Sequence, residues 1–259
     1  MTSIDFLVLA KNNFSELFET LNSIPSPACD IALNVNIIDG SNAQAPGYIL
    51  ANIFRFTDIS WQYFWTPQIK GIYPSMNFAL STVKSDWFIF LNSGDSIHPS
   101  FSFESVCHVF VGNSSIIFGQ AEIVSASSSV SWLVPDSNVA YIHRWLRFFE
   151  PNHQSMFIRK DISQLAYFDT SSPISADATW KRTLLSSFRF AYIEMPFVIF
   201  KLGGVSSSYS LDILSVKLNE HSRSVFQKFL EILKFVLFKL GVMSPRLQKL
   251  KSQFFGFIF

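Results

Sequence analysis

Two aspartates follow apolar runs of the sequence and could contribute carboxylates to one ligand site. Asp39 follows the alternating run Leu33–Ile37 and opens a turn with Gly40, and Asp95 closes the polar segment after Trp87–Leu91. If both runs are strands of an open α/β sheet, the two carboxylates lie beyond the carboxyl ends of strands, where such sheets bind ligands. Ordinary turns remain an alternative, because Asp and Gly are common turn residues.

A third aspartate, Asp177, lies in the segment Ser175–Trp180. A carboxylate within hydrogen-bond reach of a hydroxyl can take its proton, which is the task of a general base. Asp177 could also be a helix-start residue, since negative charge in the first turn is stabilised by the helix dipole. The residues alone leave both interpretations open.

The elements around these residues indicate an α/β fold. The apolar run Ile4–Leu9 predicts a first strand, and the helical spacing over Phe14–Ile24, with Asn13 as its cap, predicts a helix. The strand Leu33–Ile37 follows, so strand, helix and strand alternate within the first 40 residues. This order favours a mostly parallel central sheet flanked by helices. A second helical stripe, Met76–Val83, precedes the buried strand that leads to Asp95.

Composition excludes several classes of function. The 259 residues carry 20 Lys and Arg against 19 Asp and Glu, so no general attraction to nucleic acid is expected. No P-loop, HExxH or GxSxG pattern occurs, which leaves P-loop, zinc-peptidase and serine-hydrolase chemistry without local support. Two distant cysteines and the absence of a signal peptide favour the cytoplasm, and no apolar stretch is long enough to span a bilayer.

The last segment differs in charge from the rest of the chain. Residues 1–216 carry 12 basic and 17 acidic residues, net −5, whereas residues 217–259 carry 8 basic and 2 acidic residues, net +6. The spacing of Phe226, Phe229, Leu233 and Leu237 predicts a basic amphipathic helix in this tail. Such a helix can lie on a membrane surface, but it could also pack on the preceding domain or form an oligomer contact.

Six motifs, in this order, resemble family 2 glycosyltransferases over residues 1–205. They are Lys11-Asn12-Asn13, Ile37-Ile38-Asp39-Gly40-Ser41, Gly71-Ile72-Tyr73-Pro74-Ser75-Met76-Asn77, Phe90-Leu91-Asn92-Ser93-Gly94-Asp95, His153-Gln154 and Asp177. The resemblance implies a nucleotide-sugar-binding fold of the A type, a divalent cation (Mn²⁺ or Mg²⁺), and transfer of a sugar with inversion at the anomeric carbon. Together with the change of charge after residue 216, it indicates a glycosyltransferase domain, 1–216, and a basic amphipathic helical tail, 217–259.

The resemblance also implies roles for individual residues. Asp95 is expected to hold the metal and Asp177 to act as the catalytic base, while Asp39 is expected to bind the nucleoside, which favours a UDP-sugar donor. The remaining residues that the resemblance assigns to the nucleotide-sugar are Lys11, Asn77, Ser93, His153 and Gln154. The chain departs from the family where an acidic motif is usual, since Asn92-Ser93-Gly94-Asp95 contains one carboxylate. Pro74 likewise replaces a usual acidic residue.

The sequence therefore predicts an inverting glycosyltransferase that acts on a glycan or lipid-linked acceptor of surface-polysaccharide synthesis. We expect it in the cytoplasm, peripheral on the inner face of the membrane through its tail. A noncatalytic, membrane-associated nucleotide-sugar-binding or assembly module is the main alternative, because acidic residues are missing. A nucleotidyltransferase is a further alternative, although its glycine- and lysine-rich phosphate loop is not seen.

Overall fold

The computed structural model describes most of the chain up to residue 219. The described residues are 1–28, 30–53, 58–125, 130–136, 138–147, 149–163, 167–202 and 211–219, followed by 228–229, 232–233 and 235–236.

The first half of the chain forms four parallel strands joined by helices. The strands are β1 (Thr2–Ala10), β2 (Ile31–Asp39), β3 (Ile59–Trp65) and β4 (Trp87–Asn92), and the helices are α1 (Phe14–Asn22), α2 (Gly47–Ile53) and α3 (Ile72–Thr82). Their order in the sheet is β3-β2-β1-β4. Strands β1 and β4 are buried on both faces, which explains why they appear in the sequence as continuous apolar runs. The strand, helix, strand order expected near the amino terminus is confirmed.

The second half changes the character of the sheet. Its strands are β5 (Ser96–Ile97), β6 (Ile116–Ser125), β7 (Ser131–Val134), β8 (Met156–Arg159) and β9 (Phe190–Leu202). Its helices are α4 (Phe103–Phe110), α5 (Ile142–Trp145), α6 (Lys160–Ser163) and α7 (Ala176–Ser187), with 3₁₀ helices at Val139–Tyr141 and His153–Ser155. Strand β8 runs antiparallel to both β4 and β6, so the sheet continues β4-β8-β6-β9-β5, and β7 pairs with β6.

The expectation of a mostly parallel sheet is therefore wrong for this half of the molecule. The described strands form a mixed sheet, because β7 follows β6 antiparallel and β5 pairs antiparallel with β9. Among the described strands of this half, β6 and β9 are the parallel neighbours.

The sheet separates two hydrophobic cores. Alternation along β1 sends Phe6 and Val8 into the core beneath α1 and α4, while Leu7 and Leu9 enter the core beneath α3, α5 and α7. Phe6 is fully buried and meets the rings of Phe103 and Phe157 edge to face. The helices thus cover both faces, as the sequence predicts.

A further helix, α8 (Leu211–Asn219), follows the sheet and spans the predicted domain boundary at residue 216. Most of the predicted basic tail, 217–259, lies outside the described residues, so its amphipathic helix stays a prediction. No helix among the described residues has the length and hydropathy needed to cross a bilayer.

Candidate active site

The turns after β1, β2 and β4 meet at one edge of the sheet. In the strand register Ala10 lies beside Asp39, and Leu9 lies beside Asn92. The backbone continues this contact into the turns, because Gly40 N–H donates to Ala10 O at 2.9 Å and Ser93 N–H donates to Leu9 O at 2.8 Å. The carboxyl ends of parallel strands therefore bring the Asp39 turn and the Asp95 turn to the same edge.

Asp39 is fully buried and both of its carboxylate oxygens accept hydrogen bonds. Oδ1 accepts from Ser41 N–H at 2.9 Å, and Oδ2 accepts from the Tyr63 hydroxyl at 2.6 Å. The Tyr63 oxygen in turn accepts from Ala45 N–H at 2.9 Å. Burial and the hydrogen bond to Asp39 raise the pKa of Tyr63 to about 12. Asp39 therefore fixes the loop after β2, directly through Ser41 and indirectly through Tyr63 and Ala45.

The turn after β1 is joined to the turn after β2. Asn12 has a positive φ of 57°, its N–H donates to Ser41 Oγ at 2.7 Å, and its Oδ1 accepts from Asn42 N–H at 3.1 Å. Lys11 is exposed beside these bonds. Asn13 occupies the position before α1, but its amide donates to Glu16 at 2.7 Å instead of accepting from the helix. The expected Asn13 cap is thus present in position only.

Asp95 ends a tight turn that Gly94 makes possible with a φ of 103°. The carboxylate is 7% exposed, and its oxygens accept from Gln154 Nε2 at 2.7 Å and Lys201 N–H at 2.8 Å. Burial raises the pKa of Asp95 to about 6, against the opposing effect of these two hydrogen bonds. The Thr20 hydroxyl donates to Asp95 O at 2.7 Å and ties the turn to α1.

Gln154 connects both ends of this turn. It is fully buried, its Oε1 accepts from Asn92 N–H at 2.7 Å, and its Nε2 donates to Asp95. Its own backbone is fixed by Asn152, whose Oδ1 accepts from Gln154 N–H at 2.9 Å. The Gln154 side-chain amide therefore fixes the position of Asp95. The same hydrogen bonds attach the 3₁₀ helix His153–Ser155 to the sheet edge.

His153 links the same 3₁₀ helix to Asp177. Its Nδ1 lies 3.9 Å from Asp177 Oδ2, and its Nε2 is buried with no hydrogen-bond partner in the described part of the chain. Burial lowers the pKa of His153 to about 4, although the nearby Asp177 opposes this shift. The imidazole is therefore neutral at neutral pH.

Asp177 lies in the first turn of α7 and keeps about a quarter of its side chain exposed, at 27%. Its Oδ1 accepts from the Tyr73 hydroxyl at 3.1 Å, and its Oδ2 lies 3.4 Å from Lys181 Nζ. Burial acts to raise the pKa of Asp177, but the Lys181 ammonium, His153 and Tyr73 together hold it below its ordinary value. Since His153 is neutral at neutral pH, Lys181 and Tyr73 maintain the ionised carboxylate there.

Aromatic packing fixes the start of α7. Trp180 is buried and stacks on Phe168 with ring centroids 4.5 Å apart, and Phe168 stacks on Tyr73 at 5.6 Å. Asn77 holds this cluster, because its amide donates to Phe168 O at 2.9 Å and accepts from Phe168 N–H at 2.8 Å. The Asn77 side-chain amide thus fixes Phe168, and through it the stacked rings of Tyr73 and Trp180, with both of its polar groups.

Ser93 remains at the edge itself. It is half-buried, and its hydroxyl lies 3.5 Å from Asn13 O. Lys11, Ser93 and Asp95 therefore share the β1 and β4 turns, while His153 and Gln154 connect this edge to Asp177.

A divalent cation at this edge would have few protein ligands. The described residues contain no cluster of three or more His, Cys, Asp or Glu side chains that could hold a metal. However, Asp95 supplies one rigid carboxylate, and in the same turn Asn92 Oδ1 is buried without a partner among the described residues. Mg²⁺ is commonly held by one or two carboxylates together with substrate phosphates. Asp95 and Asn92 Oδ1 are therefore the oxygen groups of this turn that could hold a divalent cation.

Comparisons with known proteins agree on the fold. No protein-family model matches the chain, and no curated protein sequence matches it. Among solved structures, S. aureus TarS 1–349 in complex with UDP has a TM-score of 0.60 and 12% identity, over 88% of this chain and 68% of that one. TarS 1–349 with UDP-GlcNAc has a TM-score of 0.58 and 14% identity, over 96% and 79%. GalNAc-T7 with UDP, GalNAc and Mn²⁺ has a TM-score of 0.58 and 11% identity, over 84% and 47%.

These likenesses show the fold. The chain has the A-type glycosyltransferase fold that the sequence resemblance implies, with a mixed sheet flanked by helices.

Sequence reasoning missed four polar residues at this edge: Thr20, Tyr63, Tyr73 and Lys181. Lys181 follows Asp177 by one helical turn, and that spacing was a usable signal for an ion pair. Tyr63 and Tyr73 reach their aspartates across 24 and 104 residues of sequence, so no local pattern indicates them.

Proposed function

We propose that this chain is a glycosyltransferase that moves a sugar from a nucleotide diphosphate donor, with a UDP-sugar favoured, to an acceptor hydroxyl. The observation that carries the proposal is that one 3₁₀ helix contacts two aspartates. Its His153 lies beside the ionised, partly exposed Asp177, and its Gln154 donates a hydrogen bond to the buried Asp95. Two carboxylates in different environments are thereby held at one sheet edge, and solved structures with a similar fold contain UDP.

In the proposed reaction Asp177 is the general base. Its Oδ2 accepts the proton of the acceptor hydroxyl as that oxygen attacks the anomeric carbon, and the bond to the nucleotide diphosphate breaks with its electron pair leaving on the phosphate oxygen. Attack opposite the leaving group inverts the anomeric centre. Positioned proton transfer of this kind contributes roughly 10²- to 10⁴-fold to rate. Tyr73 and Lys181 keep Asp177 ionised and oriented before the acceptor arrives.

The diphosphate is proposed to lie at the β1 and β4 turns. The exposed Lys11 supplies positive charge there, and Ser93 offers a hydroxyl. A divalent cation held by Asp95 and Asn92 would neutralise charge that develops on the departing diphosphate. Gln154 and Lys201 N–H hold the Asp95 carboxylate in one orientation.

Donor turnover with matched variants tests this proposal. Hydrolysis and transfer from UDP-, GDP- and dTDP-sugars should require Mn²⁺ or Mg²⁺, be lost on chelation, and be lost in Asp177→Asn while UDP binding is retained. Asp30→Asn is the control, because Asp30 is exposed at the opposite edge with a φ of 55°, which Asn tolerates. Mn²⁺ alone should bind weakly, and more tightly when UDP is present.

A noncatalytic nucleotide-sugar-binding module is the second candidate, since the turn Asn92–Asp95 contains a single carboxylate. Metal-dependent UDP binding without turnover of any donor would favour this candidate. Absence of binding and of turnover would exclude both.

The acceptor and location are proposed from the tail. Phe229, Ile232, Leu233 and Val236 are exposed by 58%, 43%, 42% and 44%. They belong to the segment 217–259, whose net charge is +6 and suits an anionic membrane surface on the cytoplasmic side. A lipid-linked glycan at that surface is the proposed acceptor. Flotation of the full chain with anionic liposomes should be lost in Phe229→Ser/Leu233→Ser. Unchanged flotation would contradict membrane binding through this segment.

A further inference from the structure

Trp65 is an exposed aromatic side chain at the edge of the candidate active site. It is the last residue of β3, lies beside Asp39 in the strand register, and is 40% exposed. The other five tryptophans are less exposed: Trp87, Trp132, Trp145 and Trp180 are buried, and Trp61, in the same strand β3, is half-buried. Trp65 therefore presents indole surface to solvent at the edge where the strand ends converge.

The ring of Trp65 is held in a fixed orientation. Its indole N–H donates to Ser41 O at 3.0 Å, and Ser41 is fully buried. Ser41 is itself held by Asp39 Oδ1 through its N–H and by Asn12 N–H through its hydroxyl. A ring fixed in this way loses little conformational freedom when a planar ligand stacks on it, which favours binding.

Asp39 has no exposed surface that such a ligand could contact, whereas Asp95 keeps 7% of its surface exposed. Asp39 is fully buried, and its oxygens are bonded to Ser41 N–H and to the Tyr63 hydroxyl. Contact with a nucleobase at this edge must therefore come from the exposed groups around Asp39. Trp65 supplies the large flat surface, and the neighbouring turn supplies backbone polar groups.

We infer that Trp65 is the stacking platform for the nucleobase of the donor. Asp39 acts as a positioning residue, because it holds Ser41, whose carbonyl oxygen holds the Trp65 ring. This inference rests on the proposed function and specifies the base-binding part of the same site. Base–aromatic stacking depends on a π-face and tolerates different bases. Trp65 therefore contributes to affinity for the nucleoside portion, and the sugar and phosphates bind elsewhere along the edge.

Calorimetric titration of the full chain with UDP, UMP and ribose 5-phosphate, with Mn²⁺ present, tests the inference. Trp65→Leu should weaken UDP and UMP binding about tenfold or more, the loss of one base–aromatic stack, and leave ribose 5-phosphate unchanged. Trp65→Phe keeps a ring without the indole N–H and should retain an intermediate affinity. Tyr141→Leu is the control, because Tyr141 is 58% exposed on the 3₁₀ helix after β7 and should bind all three ligands normally. Circular dichroism should show equal folding of all variants.

The outcomes separate this inference from the proposed function. Wild-type binding of UDP that persists unchanged in Trp65→Leu would overturn the stacking role and leave the transferase proposal standing. Equal weakening of UMP and ribose 5-phosphate would also overturn it, because Trp65 would then only support the turn. Failure of the wild-type chain to bind any of the nucleotides would overturn the proposed function and the inference together.

Discussion

Replacement of Gln154 by methionine should destabilise the protein in a pH-dependent way. Methionine is similar in size and apolar, so Gln154→Met removes two hydrogen bonds while the fully buried side-chain space stays filled. Asn92 N–H loses its acceptor at 2.7 Å, and the Asp95 carboxylate loses its donor at 2.7 Å.

The magnitude follows from the two lost bonds. An unsatisfied buried backbone N–H costs about 1–3 kcal/mol, and a hydrogen bond to a charged group contributes about 1.5–3 kcal/mol. We therefore expect the free energy of unfolding to fall by about 3–5 kcal/mol at pH 8. The second contribution applies only while Asp95 is ionised.

The pH dependence has a definite sign. Burial raises the pKa of Asp95 to about 6 in the folded protein, so its contribution to stability is complete below its ordinary value of 3.8 and is lost as pH rises through 6. Loss of the Gln154 donor raises this pKa further, and each additional unit removes about 1.4 kcal/mol at pH 8. At pH 5 Asp95 is mostly protonated, so the cost of Gln154→Met should be smaller there by at least about 1 kcal/mol.

Urea unfolding at pH 5 and pH 8, followed by circular dichroism, measures both values. Gln120→Met is the matched control, because Gln120 is 7% exposed and its amide donates to Pro135 O at 3.0 Å, not to a carboxylate. Its cost should be the same at both pH values. An equal cost of Gln154→Met at pH 5 and pH 8 would refute the coupling between Gln154 and the ionisation of Asp95.

Two further substitutions test the partners of the other aspartates. Lys181→Met removes the ammonium 3.4 Å from Asp177, so the pKa of Asp177 should rise and the acid limb of the pH–rate profile should move to higher pH; an unmoved acid limb would argue against Asp177 as the base. Tyr63→Phe leaves one Asp39 oxygen and Ala45 N–H without their partner, and urea unfolding should show a loss of about 2–4 kcal/mol. A loss below about 0.5 kcal/mol, the range of ordinary surface changes, would contradict the support that Tyr63 gives to Asp39.

The sequence predicts most elements of the first half of the fold because their signals are long, although it does not predict α2 and β3. Strand β1 is buried from Ile4 onward and, apart from Asp5, apolar over that stretch, and α1 shows a full helical stripe. The second half contains strands as short as Ser96–Ile97 and Met156–Arg159, whose length gives no usable periodicity. Their antiparallel pairing is decided by contacts between distant segments, so the mixed sheet could not be foreseen.

The candidate site shows the same division. Asp39 and Asp95 could be placed at one edge from sequence because Asp39 ends β2 and Asp95 lies in the turn after β4. Their hydrogen-bond partners could not, since Gln154 reaches Asp95 across 59 residues and Tyr63 reaches Asp39 from a neighbouring strand. These partners matter because they bury Asp39 and make it support the turn after β2, a role that its position in the sequence does not indicate.

Hydrogen–deuterium exchange with and without UDP and Mn²⁺ tests most directly where the donor binds. Protection should be concentrated at the carboxyl edge of the sheet, in the turns 10–13, 39–42 and 92–95 and at the end of β3 around Trp65. The opposite edge offers an internal control, since a polar groove there is lined by Asp86, Arg159, Lys160 and Asp161. Protection of that groove alone, or unchanged exchange in the three turns under conditions where UDP binds, would contradict a donor site formed by the ends of β1, β2 and β4.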